Sequence, residues 1–212
     1  MTTPDQSDSA SPKPITLGRE SLNLPNFITA SRLVLALLLF AMIDHGGYWI
    51  ASAAMFVVAA STDWLDGYLA RKYGQVTTLG RILNPFVDKI IVGGAFLFLL
   101  EKNGTGTAEN AIQSGVTAWM AMAVIGREMF ISSLRGFLEQ QGKDFSASFS
   151  GKAKMTLQCV AVTASLLSLS PDVDWPWLIP ARDVLLWSAV GVTIWSGLVY
   201  VVRAVKLLRA GD

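Results

Sequence analysis

Asp63-Trp-Leu-Asp66-Gly67-Tyr-Leu-Ala70-Arg71 and, after eight intervening residues, Gly80-Arg-Ile-Leu-Asn84-Pro-Phe-Val-Asp88 place two polar turns inside an otherwise apolar chain. The residues before the first turn, from Trp49 to Ser61, and after the second, from Ile90 to Leu100, have the composition of membrane helices. A carboxylate inside such a helix is costly unless a metal, a counter-charge or a substrate compensates it. Several carboxylates within two consecutive segments therefore mark a functional site.

Working outward, six segments are long enough to span a bilayer at roughly 20 residues per helix. They fall near 26–44, 49–72, 82–101, 115–139, 152–170 and 183–207. The intervening stretches, Asp44–Gly47, Tyr73–Gly80, Lys102–Gly106, Gly142–Gly151 and Pro171–Pro180, carry turn-forming Gly, Pro, Asn or Asp. The expected fold is all-α: a polytopic membrane protein with six transmembrane helices. With the N-terminus inside, all of the 17 Lys and Arg residues except Lys102 and Arg182 lie on or toward the cytosolic side. That asymmetry and an even number of spans put both termini in the cytosol. Trp49, Trp119, Trp175, Trp177 and Trp187 fall near the opposite helix ends, where indole rings anchor at the interface.

Composition agrees: 52% of the 212 residues are hydrophobic and 16% charged, too much apolar surface for one ordinary soluble core. A net charge of +1 conceals the uneven distribution of basic residues. The single cysteine, Cys159, excludes an internal disulfide and a thiolate metal site, and its Val, Ala and Leu neighbours suit a buried thiol. Residues 1–20 are polar, rich in Ser, Pro and Thr, and lack the apolar stretch of a secretory signal. They are expected to form a disordered cytosolic tail, with residues 21–212 as the six-helix domain.

Asp63 and Asp66 are three residues apart on the second segment, and Asn84 and Asp88 four apart on the third, so each pair shares a helix face. A short connection makes the two helices antiparallel neighbours. Their polar turns then meet at one depth, bringing three carboxylates and an amide together. Oxygen-only donors suit a hard cation, Mg²⁺ or Mn²⁺, with phosphate oxygens completing its shell, and disfavour zinc. Gly67 and Gly80 leave room for a ligand or a second backbone, and Arg71 offers a forked donor to a phosphate. A lone carboxylate could equally be paired with Arg71 or Lys89 in a charge network without chemistry. The whole arrangement is harder to explain that way.

The pattern Asp63-x-x-Asp66-Gly67-x-x-Ala70-Arg71, Gly80, position 84, Asp88 resembles the signature of the CDP-alcohol phosphotransferases, integral-membrane enzymes with six helices. The resemblance implies two divalent metals held by positions 63, 66, 84 and 88, and a CDP moiety held around Asp66, Gly67, Arg71 and Gly80. It further implies Asp88 as the general base and a homodimeric assembly. Position 84 departs from the signature, which has Asp where this chain has Asn84. An amide still offers a neutral oxygen, but it removes one negative charge and cannot bridge two cations. A working site with weaker metal binding and a catalytically impaired homologue are both open on that substitution.

For the acceptor, Arg127 and Arg135 lie eight residues apart on one face of the fourth segment, and Lys152 begins the fifth. Converging cations beside the acidic site would hold a phosphate dianion. Lys143 and Lys154 could instead snorkel to the interface. The segments Asn23–Arg32, Gly126-Arg127-Glu128 and Gly151–Thr156 are similar to those of the bacterial phosphatidylglycerophosphate synthase branch of the family. That likeness implies CDP-diacylglycerol as donor, sn-glycerol 3-phosphate as acceptor, CMP as leaving group and a bacterial inner-membrane location with the site facing the cytosol. An inositol phosphate acceptor would also use a basic pocket. A cation transporter would call for inverted repeats, and none is visible. His45 falls on the opposite side of the membrane from the acidic turns.

Overall fold

The computed structural model describes residues 24–72, 78–104, 113–142 and 149–209, with the side chains of 24–26, 63–72, 78–82 and 149–152 outside the description. The expected tail lies outside it too. Six helices follow one another: α1 Leu24–His45, α2 Trp49–Lys72, α3 Thr78–Glu101, α4 Ala118–Gln140, α5 Phe149–Ser168 and α6 Leu178–Arg209. No strand occurs among the described residues. Three helical stretches are long and apolar enough to cross a membrane, Phe27–His45, Leu83–Glu101 and Leu178–Arg209, and Trp49–Thr62 and Ala153–Ser168 form shorter apolar stretches. α4 carries Arg127, Glu128 and Arg135 within its length.

Three helices start earlier than the sequence expectation by three residues or more, whereas α4 starts three residues later, at Ala118. α3 begins at Thr78 and runs through Gly80, so Pro85 lies inside the helix instead of in its first turn. The ring nitrogen has no proton to donate, which deprives the carbonyl four residues earlier of its helical partner. α5 begins at Phe149 and takes in Gly151. α6 begins at Leu178, placing Pro180 in the first turn, where a missing N–H costs little. By contrast Gly46 and Gly47, with φ of 77° and 83°, make the left-handed reversal between α1 and α2 where it was expected.

Each helix buries a stripe at 3.6-residue spacing. Ala36, Leu39 and Ile43 of α1 meet Phe56 and Ala59 of α2 and Ile91, Phe96 and Leu99 of α3 in one core, which continues through Val124 of α4, Leu166 of α5 and Leu186 of α6. α1 packs on α2 and α3, and α6 packs on α4 and α5. Ile131, Leu138, Tyr200 and Ala204 form a smaller cluster between α4 and α6. At Gly94 a Cβ would collide with the Phe40 ring, so the close α1–α3 approach requires glycine there. The outward faces are apolar, with Phe27, Met122, Val184 and Trp195 among the large exposed side chains, as a lipid-facing surface requires.

Trp119, Trp175, Trp177 and Trp187 are exposed, as interfacial rings would be. Trp49 is not: at 4% exposure it belongs to the core, because it opens α2 on the stripe that continues through Ala53 and Phe56. Arg182 is likewise buried. It donates to Gln113 O at 2.7 Å, to Ser168 Oγ at 3.2 Å and to Asp183 Oδ1 at 2.8 Å, binding the segment before α4 to α5 and α6. Ser114 and Ser165 complete this seam, Ser114 donating to Leu99 O and Ser165 to Ser114 O, each at 2.6 Å.

Candidate active site

The buried stripe of α1 carries two polar residues at its start, Thr29 and Arg32, in register with Ala36, Leu39 and Ile43. The matching stripe of α3 starts with Asn84 and Asp88 ahead of Ile91, Ala95 and Leu99. Packing α1 on α3 joins these polar ends. Thr29 donates its hydroxyl to Asn84 Oδ1 at 2.5 Å, and Arg32 Nη2 donates to Asp88 Oδ1 at 2.5 Å. The Arg32 side chain is fully buried, and its Nε donates to Ala59 O of α2 at 3.1 Å. One guanidinium thus joins three helices and sets the carboxylate of Asp88, which is 24% exposed. Arg32 had no site role in the sequence reading. Its signal was available: a cation on the inward stripe of an apolar helix requires a carboxylate partner.

Asp63, Asp66, Gly67 and Arg71 lie in the last turns of α2 and Gly80 in the first turn of α3, but their side-chain positions are outside the described residues. No group of three His, Cys, Asp or Glu side chains meets among the described residues. The donor set that is described fits a hard divalent cation, since Asn84 and Asp88 offer an amide and a carboxylate oxygen one turn apart on α3. His45 ends α1 about 20 Å from Arg32, and stacks on Tyr48. It is remote from Asp88, as expected.

A second polar group lies where α4, α5 and α6 meet. Arg127 Nη1 donates to Glu128 Oε1 at 3.2 Å and Arg127 Nη2 to Ser196 Oγ of α6 at 3.1 Å, while its guanidinium lies 5.4 Å from the centre of the Tyr200 ring. At Gly197 a Cβ would come within 3.2 Å of Arg127 Cγ, so α6 is relieved of a side chain where the arginine passes. Lys154 of α5 donates to the same Glu128 Oε1. Lys154 is only 6% exposed, which replaces the snorkelling alternative: a lysine on the stripe of Gln158 and Ala161 faces inward and takes a carboxylate there.

Arg135 stands two turns further along α4, about 12 Å along the axis. The Nε atoms of Arg127 and Arg135 are buried without a hydrogen-bond partner among the described residues. Lys152 lies on α5 with its side chain outside the description, and positions 152 and 154 occupy different faces of that helix. Glu128 and Lys154, like Ser196 and Tyr200 of α6, had no site role in the sequence reading. The triplet Gly126-Arg127-Glu128 was itself the signal, because an adjacent Arg and Glu inside a helix both need partners.

An apolar groove of about 860 Å³ opens between α2, α5 and α6. It begins at Ser61, two residues before Asp63, and follows α5 from Met155 to Leu167, about 18 Å. Trp175 and Trp177 line it at the opposite end, with ring centroids 5.4 Å apart and planes 13° from parallel. Cys159 contributes to its wall.

With this geometry in place, likeness to known proteins adds a lineage. The CDP-diacylglycerol–glycerol-3-phosphate 3-phosphatidyltransferase of Bacillus subtilis (strain 168) is 32% identical over 206 residues, covering 90% of this chain and 99% of that protein. The enzyme of the same name from Salmonella choleraesuis (strain SC-B67) is 33% identical over 186 residues, covering 86% and 94%. An Arabidopsis thaliana protein, CDP-diacylglycerol–glycerol-3-phosphate 3-phosphatidyltransferase 2, is 31% identical over 207 residues, covering 93% and 86%. The family profile described as CDP-alcohol phosphatidyltransferase matches residues 22–195, a span that includes Arg32, Asp88, Arg127, Glu128, Lys154 and the groove, and the chain belongs to that family.

Proposed function

We propose that this protein transfers the phosphatidyl group of CDP-diacylglycerol to sn-glycerol 3-phosphate, giving phosphatidylglycerophosphate and CMP. The observation that carries the acceptor assignment is the cationic cluster of Arg127 and Lys154 at the α4–α5–α6 junction, with Arg135 beyond it. A phosphorylated alcohol needs such a site, and a neutral alcohol does not.

In this reading Asp88 accepts the proton of the glycerol C1 hydroxyl, and the oxygen attacks the phosphorus that bears diacylglycerol. The bond from that phosphorus to the bridging oxygen breaks, and CMP leaves with the electron pair. Arg32 holds the Asp88 carboxylate in place and keeps a cation beside it before and after the proton arrives. Asp66, Gly67, Arg71 and Gly80 shape the CDP site, and Arg127, Arg135 and Lys152 hold the acceptor phosphate. Two Mg²⁺ or Mn²⁺ ions would be held by Asp63, Asp66, Asn84 and Asp88 and would supply charge neutralisation of the diphosphate. The apolar groove next to Ser61 takes a fatty-acyl tail of the donor.

All six helices span the bilayer in this reading, with both termini and the site on the cytosolic side of a bacterial inner membrane, and residues 21–212 form one domain that pairs as a homodimer. The test is a lipid-product assay with purified protein, CDP-diacylglycerol and a choice of acceptors. Phosphatidylglycerophosphate should form from glycerol 3-phosphate, and free glycerol should be a poor substitute. A better yield with inositol phosphate, serine or glycerol would overturn the acceptor while leaving the family in place.

A further inference from the structure

Glu128 takes no part in the chemistry described above, yet it lies at the centre of the acceptor cluster. Its Oε1 receives Arg127 Nη1 from its own helix and Lys154 Nζ from α5. Two cations drawn onto one oxygen would otherwise repel each other, and without the carboxylate each long side chain would turn away toward water or lipid headgroups. Stability alone is a weak reason for this arrangement, because an apolar pair of similar volume stabilises a helix junction as well as a buried ion pair does. Arg127 is meanwhile fixed on a third side by Ser196 and Tyr200 of α6, across the gap left by Gly197.

The cluster is held by several contacts, but among the described residues its charges do not balance. One described carboxylate faces Arg127 and Lys154, leaving an excess positive charge there, and the Nε donor of Arg127 has no partner among the described residues. Buried donors in that condition call for an acceptor, and an excess charge in an apolar slab calls for an anion.

We propose that Glu128 is a positioning residue for the acceptor phosphate: by binding Arg127 and Lys154 together across α4 and α5, it fixes both cations before the acceptor arrives. The proposal rests on the acceptor assignment made above. It adds Lys154 to the residues that meet the phosphate and gives the carboxylate a purpose in recognition. Pre-fixed cations spare the acceptor the cost of ordering two flexible side chains, so the benefit appears in acceptor affinity and not on the donor side.

The experiment compares the full-length enzyme with Glu128→Gln in initial-rate assays that vary glycerol 3-phosphate and CDP-diacylglycerol separately. Glu128→Gln should raise KM for glycerol 3-phosphate by about tenfold and leave KM for CDP-diacylglycerol within about twofold. Glu128→Asp, which keeps the charge, should recover part of the acceptor affinity. A second variant, Glu128→Met with Lys154→Met, replaces the ion pair by apolar side chains and preserves the junction if pairing is only structural. It should elute as a folded dimer or monomer in detergent and still show the raised acceptor KM. An unchanged acceptor KM in either folded variant, an equal rise for both substrates, or loss of fold in both variants would overturn the proposal and mark Glu128 as structural. Failure of the unmodified enzyme to use glycerol 3-phosphate would instead refute the proposed function, so the two failures are read from different samples.

Discussion

The α1–α3 corner and the α4–α5–α6 corner both bury arginine, but they settle its charge differently. At the first, Arg32 donates to the Asp88 carboxylate on a neighbouring helix and spends its Nε on a backbone carbonyl, so cation and carboxylate face each other directly. At the second, Arg127 and Lys154 share one carboxylate oxygen, and the Nε donors of Arg127 and Arg135 have no partner among the described residues. An arginine so placed holds the carboxylate still. An unbalanced cluster keeps capacity for an anion that comes and goes. Under the proposed function, the α1–α3 corner would handle the proton of the acceptor and the α4–α5–α6 corner would hold its phosphate.

The strongest way to break that contrast is at Asp88. Asp88→Asn should lower kcat by about 10²–10⁴-fold with CDP-diacylglycerol binding retained, measured by CMP release and by equilibrium binding of the donor. Turnover within a few-fold of the parent would remove Asp88 from the base role. Next in size is Arg32→Met, which leaves a carboxylate without its cation inside the bundle and should cost about 3–5 kcal/mol of stability, discounted for the partial exposure of Asp88. Thermal denaturation in detergent reads that loss. Combining Arg32→Met with Asp88→Asn should restore most of the thermal stability but not the turnover; additive losses in the double variant would deny the pairing.

On the acceptor side the effects should be smaller and confined to one substrate. Arg127→Ala should raise KM for glycerol 3-phosphate about tenfold or more, from the roughly 1.5–3 kcal/mol of a hydrogen bond to a charged group, with little change for the donor. Parallel weakening of both substrates would remove Arg127 from selective recognition of the acceptor. The smallest expected change is at Asn84, whose oxygen already accepts from Thr29. Asn84→Asp should lower the Mg²⁺ or Mn²⁺ concentration needed for half-maximal CMP release, because a carboxylate replaces an amide among the oxygen donors. Identical metal titrations in parent and variant would withdraw position 84 from the ligand set.

Six helices were legible in the sequence because each has a long apolar run closed by Gly, Pro, Asn or Asp. The ends were less so. Thr78–Gly80 and Gly151 read as breaks, yet the helices run through them, since a single glycine costs a helix only about 1 kcal/mol and packing outweighs it. The polar face of α3 that carries Asp88 was legible from spacing, but the partner of Asp88 was not. Arg32 lies 56 residues away, and nothing local shows that α1 and α3 bring the two together. Lys154 was ambiguous for a related reason: burial and snorkelling start from the same position near a helix end, and only the facing Glu128 decides between them. Trp49 misled because a tryptophan at a helix end has the same sequence signature whether the ring faces the interface or the bundle.

The groove beside Ser61 has a consequence for traffic through the membrane. Lipid tails and the groove's Val, Leu and Met side chains are equally apolar, so a tail entering it gains almost no hydrophobic free energy. On the proposed reading, such a channel would orient a lipid without retaining it. Donor and product, alike in their tails, would exchange sideways with the bilayer at little cost, and head-group contacts would govern how long each stays. Glycerol phosphate and CMP would come and go through water. Turnover then joins a two-dimensional supply of lipid to a three-dimensional supply of acceptor, and crowding of CDP-diacylglycerol in the leaflet, more than its total amount in the cell, would set the rate at which the donor side fills.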